Sequence, residues 1–244
     1  MPSRRRYQHM TDFESFGLQH GLAAGITVGL GIVLPLISRR VAGRELQEKL
    51  RKALALCLFG YVLFGPIVRS QVFDLPLREN LPLHLCGASV ALGGLMLWLR
   101  SHRLYEVAYF WGTGGVLAAL LTPDLQAGFP HPLFLLFFLG HGLALTAVMY
   151  ATVVCGFRPR HASVPIALGA TAGYALLIYP INVILGSNYL YLVRKPAQPS
   201  PLDYLGPWPW YILGLGALTV CVCLICYLPF AVHDRVSRAR RAGA

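Results

Sequence analysis

The sequence predicts an all-α polytopic membrane protein with seven transmembrane helices, its amino terminus external and its carboxyl terminus cytoplasmic. Three observations carry that reading. Apolar residues make up 56% of the 244 and charged residues only 13%, with a mean hydropathy of +0.57; soluble domains carry about 25% charged residues. Apolar windows long enough to cross roughly 30 Å of hydrocarbon recur along the chain. Fourteen of the 21 lysines and arginines fall in alternate loops, the asymmetry expected of cytoplasmic connections.

The windows follow in order. The first, from Phe16 to Ser38, is closed by Arg39 and Arg40; it is too long, and too charged behind, for a cleavable signal peptide. The second, Lys52 to Ile67, is short for a span, and the third, Leu81 to Leu99, opens on LPLHLCG with Pro82 suited to a first helical turn. The fourth, Leu104 to Leu121, contains the glycine run at 112, 114 and 115. The fifth runs from Pro132 to Cys155, the sixth from Ser163 to Leu185 with Pro180 inside it, and the seventh from Tyr211 to Ala231. Trp208, Trp210 and Tyr211 mark the start of the seventh as interface anchors. One domain, 1–244, is expected, with an external tail (1–15) and a basic cytoplasmic tail (232–244).

Arg39, Arg40, Arg44, Lys49, Arg51 and Lys52 crowd the first connection. Arg100 and Arg103 sit in the third, Arg158 and Arg160 in the fifth, and Arg235, Arg238, Arg240 and Arg241 in the tail. Arg4, Arg5, Arg6, Arg69, Arg78, Arg194 and Lys195 fall on the opposite side. The net charge of +11 therefore reads as a topology signal and a match for anionic lipid head groups. No nucleic-acid motif accompanies it, so nucleic acid is not an expected partner and membrane phospholipids are. The expected location is the inner (plasma) membrane, as a multi-pass protein.

Orientation gathers the polar residues into a pattern. His20, His84, Cys86 and His141 all fall in the external half of the bilayer, joined by Asp124, His131, Asn182 and Asn188 on that side. Ionisable residues inside a membrane are costly and usually face a bundle interior or a wet cavity; the plainer account is an interhelical hydrogen bond. His84 and Cys86 are two residues apart and diverge by about 200° on a helix, so a base for the thiol must come from another helix. His141 is the candidate, because Cys86 lies about 8 Å below Leu81 and His141 about 14 Å below Pro132 at 1.5 Å per residue. An imidazole and a helix N-terminus both favour a thiolate. Ser89 and Gly93 continue the Cys86 face with small side chains, which suits close helix packing as well as a substrate.

The other cysteines read as apolar filler. Cys221, Cys223 and Cys226 do not share one helix face, and no cysteine lies in an external loop where a disulfide would be expected. Beside an enzyme built on Cys86 and His141, for which no cofactor is expected, two rival functions remain open at this level. A zinc-dependent lipid hydrolase would recruit His20, His84 and His141 with Asp124 as ligands. A transporter or ligand sensor would use Pro180 and the glycines 112, 114 and 115 as gating points; against it, there is no internal repeat, and Glu106 is the rare intramembrane carboxylate, close to the cytoplasmic interface.

LPLHLC on the third helix, YFWGTGGVLAALLTPDL (109–125), FPHPLFLLFFLGHG (129–142), NYLYLVRKP (188–196) and LDYLGPWPWYI (202–212) together resemble the YwaF and transmembrane protein 164 family of integral membrane proteins. The resemblance covers roughly residues 50 to 230. It implies a seven-helix fold and, from the animal relative, a phospholipid acyltransferase that uses a cysteine and a histidine. Carried over position by position, these are Cys86 and His141, the pair that helix geometry singles out. His84, Asp124 and the segment containing Asn188, Tyr189, Arg194 and Lys195 match family motifs as well. The expected chemistry is acyl transfer between phospholipids through a Cys86 thioester, with His84 and nearby backbone donors at the oxyanion, and Arg194 and Lys195 at the lipid phosphate. Asp124, Asn182, Asn188 and Tyr189 complete the expected substrate-binding set.

Overall fold

The computed structural model describes residues 13–125, 127–196 and 201–242; Arg4, Arg5 and Arg6 lie outside the described residues. Helices make up the fold, with no strand among the described residues. They are α1 (Leu18–Val41), α2 (Arg44–Phe73), α3 (Leu77–Asn80), α4 (Leu85–Leu99), α5 (His102–Phe110), α6 (Val116–Leu121), α7 (Pro132–Val153), α8 (Ser163–Leu185) and α9 (Trp210–Ala242). A π-helical turn, Trp111–Gly115, joins α5 to α6 without a break. Among the described residues, six stretches are long and apolar enough to cross a membrane: α1, α2, the continuous His102–Leu121 unit, α7, α8 and α9. The chain is a multi-pass membrane protein.

Several expected boundaries move, each for a local reason. The second helix extends from Arg44 to Phe73, because charged residues before Lys52 form an exposed helical turn with the Glu45–Lys49 pair at i,i+4. The third starts at Leu85, not Leu81; at 15 residues it spans about 22 Å, less than the hydrocarbon core. The expected basic tail beyond Ala231 is a continuation of α9 to Ala242. Pro180 lies inside an unbroken α8. The glycines of the π turn serve packing, since a Cβ at Gly112 would meet Val148 of α7 at 2.8 Å and one at Gly114 would meet Val222 of α9 at 2.5 Å. Small residues at such crossings let helix backbones approach.

Helix α7 is the hub, packing on α1, α2, α4 and the π turn. Its Ala144, Leu145, Ala147, Val148 and Ala151 share one core with Leu58 of α2, Val90 of α4 and Phe110 of α5. At one end of the bundle the connections rich in arginine meet. Arg39 donates to the Val153 carbonyl (2.9 Å), Arg100 pairs with Glu48 (3.0 Å), Arg160 with buried Glu106 (2.8 Å) and Arg158 with Asp234 (2.8 Å).

The opposite end holds a folded-back connection between α2 and α4. Residues 81–84 are not helical, and their polar backbone is served by tyrosines. The Tyr189 hydroxyl accepts from the Leu81 amide (3.0 Å) and donates to the Arg78 carbonyl (2.7 Å), and Tyr174 donates to the Leu83 carbonyl (2.9 Å). The turn then presses on α4 so closely that a Cβ at Gly87 would lie 2.7 Å from the Pro82 Cα. Only glycine fits there. Pro82 is thus part of the turn, and His84 is the residue that precedes the first helical position.

Tyr189→Phe leaves the Leu81 amide and the Arg78 carbonyl without that hydroxyl, at a cost of about 1–3 kcal/mol. The expected result is a drop of several degrees in the thermal unfolding midpoint of the detergent-solubilised protein; an unchanged midpoint would show that the turn is held by other contacts.

Candidate active site

Between α2, the 79–84 connection, α4 and α7 lies a cavity of about 250 Å³ whose lining includes Tyr61, Arg69, His84, Cys86, Gly140 and His141. The thiol and imidazole singled out from the sequence therefore line one cavity. Apolar wall is supplied by Val62, Pro66, Leu81, Pro82, Val90 and Phe137.

Cys86 is the second residue of α4, which carries no side-chain cap. The first backbone bond of the helix runs from the Ala88 amide to the His84 carbonyl (2.9 Å). The amides of residues 85–87 precede it, and such amides have no partner within their own helix. His141 is nine-tenths buried, with 8% of its surface exposed. Its Nδ1 lies 2.7 Å from the Phe137 carbonyl, and because a carbonyl only accepts, Nδ1 carries the proton. Nε2 is then the lone-pair nitrogen. It is the one buried side-chain polar atom with no hydrogen-bond partner among the described residues. A neutral imidazole with a free basic nitrogen, lining the same cavity as a cysteine, supplies the two groups that a base-activated thiol nucleophile uses.

Two lining residues were not legible as site residues. Arg69 reads from the sequence as a loop charge two positions past the expected end of the second helix, whereas α2 runs on to Phe73 and turns it inward. Its Nη2 donates to the Tyr61 hydroxyl (2.8 Å), which donates to the Leu136 carbonyl (2.9 Å). The Tyr61 ring occupies the space where a Cβ at position 140 would stand, so the glycine preceding His141 admits the phenol. A GH pair entering an apolar helix is the signal that was available.

The remaining expected site residues divide. His84 lines the cavity, its ring 5.0 Å from Tyr189 and 5.6 Å from Tyr191 between centroids. Asp124 lies behind those rings and accepts from the Tyr191 hydroxyl (3.1 Å). Burial, with the Asp124 charge alongside, holds the Tyr191 phenol above its usual range, so it remains a donor. Asn182 is buried and bonds both the amide (2.7 Å) and the carbonyl (2.9 Å) of Tyr189. Asn188 accepts from the Val193 and Arg194 amides (3.1 Å each). These asparagines and Tyr189 build the loop that supports the 81–84 turn. Arg194 is exposed and Lys195 lies over the Tyr211 ring (5.6 Å); neither lines the cavity.

The zinc set His20, His84, His141 and Asp124 does not assemble. His20 Nδ1 accepts from the Phe16 amide (2.9 Å) and Nε2 donates to the Leu120 carbonyl (2.6 Å), so both nitrogens are engaged. No group of three histidine, cysteine or acidic residues among the described residues is placed to hold a metal. His131 precedes α7 and accepts from the Leu133 amide (3.2 Å), a capping role. All six cysteines are free thiols, with Cys221 exposed and Cys223 buried on α9.

The described residues form an all-helical, multi-pass membrane bundle in which a cysteine and a histidine line one cavity. The chain belongs to the TMEM164 family, whose profile matches residues 15–227. It is 27% identical over 224 residues to an uncharacterized protein of Treponema pallidum (strain Nichols), covering 89% of this chain and 90% of that one. No solved structure matches the chain.

Elemental analysis of the purified protein is expected to find zinc well below one atom per chain. Stoichiometric zinc that disappears in His141→Ala would restore the metal reading.

Proposed function

We propose that the protein is a membrane acyltransferase that moves an acyl group between phospholipids through a thioester on Cys86. The observation that carries this reading is the partnerless Nε2 of His141 in the cavity that Cys86 lines. His141 Nε2 takes the Cys86 thiol proton as sulfur attacks an ester carbonyl of the donor lipid. The tetrahedral oxyanion is stabilised by the amides at the start of α4 and by His84. Collapse breaks the C–O bond, the released lyso-lipid hydroxyl takes the proton from His141, and the acyl group stays on sulfur. A second lyso-lipid then gives its hydroxyl proton to His141, attacks the thioester and restores the thiol. The apolar cavity wall favours a lipid alcohol over water in that second step.

With α4 counted as a seventh crossing, the positive-inside rule puts the arginine-rich end in the cytoplasm and the cavity toward the external leaflet of the inner membrane. Donor and acceptor lipids then come from that leaflet. Asp124 keeps Tyr191, and through it the His84 ring, in place for the substrate.

In proteoliposomes containing an acyl-labelled phospholipid and a lyso-lipid acceptor, Cys86→Ala is expected to abolish transfer. His141→Ala should lower it by about 10²–10⁴, with unfolding midpoints close to the wild type in both. Transfer retained by folded Cys86→Ala protein would overturn the thioester.

A further inference from the structure

Helix α2 carries two inward arginines, and they are treated differently. Arg51, at the arginine-rich end, is matched: it pairs with Glu48 (2.6 Å) and donates to the carbonyls of Leu97 and Trp98. Arg69, on the cavity, has a hydroxyl for a partner and no carboxylate within 4.0 Å among the described residues. Glu79 lines the same cavity, but it faces Arg78 at 4.0 Å. A guanidinium on an apolar helix without a counter-charge is costly and is retained where an anion binds.

The geometry points to Arg69 as the residue that holds the phosphate of the lipid substrate, the role expected of Arg194 and Lys195; this rests on the proposed acyl transfer. Tyr61 fixes the guanidinium on two sides, by the hydroxyl bond and by its ring, whose centroid is 5.7 Å from the Arg69 Cζ. One N–H of the guanidinium is spent on Tyr61, and the rest of the planar fork is matched to two phosphate oxygens. Tyr61 also packs on Gly140, next to His141, so the anion site and the base are one residue layer apart. A phosphodiester and its neighbouring acyl ester on one glycerol span a comparable gap. The cavity volume of about 250 Å³ suits a glycerophosphate group, with the acyl chains outside it among the lipid-facing side chains of α2, such as Leu63 and Ile67.

Binding without turnover tests this. Full-length protein carrying Cys86→Ala is titrated in detergent with radiolabelled lysophosphatidylglycerol and with the monoacylglycerol of the same chain. The phospholipid is expected to bind about tenfold or more tightly, and Arg69→Gln in the same background to remove that preference while leaving monoacylglycerol binding as it was. Arg69→Lys, which keeps the charge, should keep part of the preference; if the glutamine variant fails to fold, the lysine variant decides. Equal binding of the two lipids before any change at Arg69, or a preference that survives Arg69→Gln, overturns the assignment. Displacement of the lipid by millimolar inorganic phosphate would make this a soluble-anion site and overturn it too. Because acyl transfer is not read in this titration, transfer retained by folded Cys86→Ala protein, or absent from the wild type, alongside an intact Arg69-dependent preference sinks the thioester alone.

Discussion

In an apolar bundle, every backbone amide and carbonyl that leaves a helix must find another partner, and the candidate site is built around one place where the chain leaves a helix early. Residues 81–84 form a turn where the hydropathy calls for a first helical turn, and the hydroxyls of Tyr174 and Tyr189 serve its backbone. Tyr189 is in turn held by Asn182 through both backbone groups. This chain of bonds decides that α4 starts at Leu85, which puts Cys86 in its first turn beside the cavity. Had the helix begun at Leu81, Cys86 would lie in its second turn, with its own amide tied into the ladder.

Against that background of satisfied polar groups, His141 Nε2 is the exception. Leaving a buried polar atom without a partner costs about 1–3 kcal/mol, and a purely structural histidine avoids the cost in the way His20 does, using both nitrogens. His141 spends Nδ1 on the Phe137 carbonyl of its own helix, which sets the tautomer and keeps the basic nitrogen for something else. The thiol of Cys86 lies on the wall of the same cavity, and the proposed mechanism gives that nitrogen its proton. Arg69 repeats the theme with charge: a half-buried cation matched on the cavity side by a phenol and not by a carboxylate among the described residues.

The membrane class, six of the long helices and the placing of Cys86 and His141 at a similar depth, where both line one cavity, were legible because each rests on a period or a window: apolar length and the rise per residue. Bonds between distant segments leave no such period. Asn182 and Asn188 looked like substrate ligands because an amide in an apolar segment reads the same whether it binds a lipid or its own loop. Arg69 was misplaced by the six residues that α2 adds beyond Ile67. The zinc set failed for a related cause, since the Phe16 amide and Leu120 carbonyl that occupy His20 come from sequence with no marker for it.

The central claim is that Cys86 owes its reactivity to His141. The most direct measurement is the rate at which each of the six cysteines reacts with a lipid-soluble acyl electrophile, read by mass spectrometry on the folded protein. The account predicts Cys86 as the dominant adduct, forming at least about tenfold more slowly in His141→Ala while labelling at lipid-exposed Cys57 and Cys221 is unchanged. Cys86 labelling at the same rate without the imidazole, or no faster than Cys57, would contradict it.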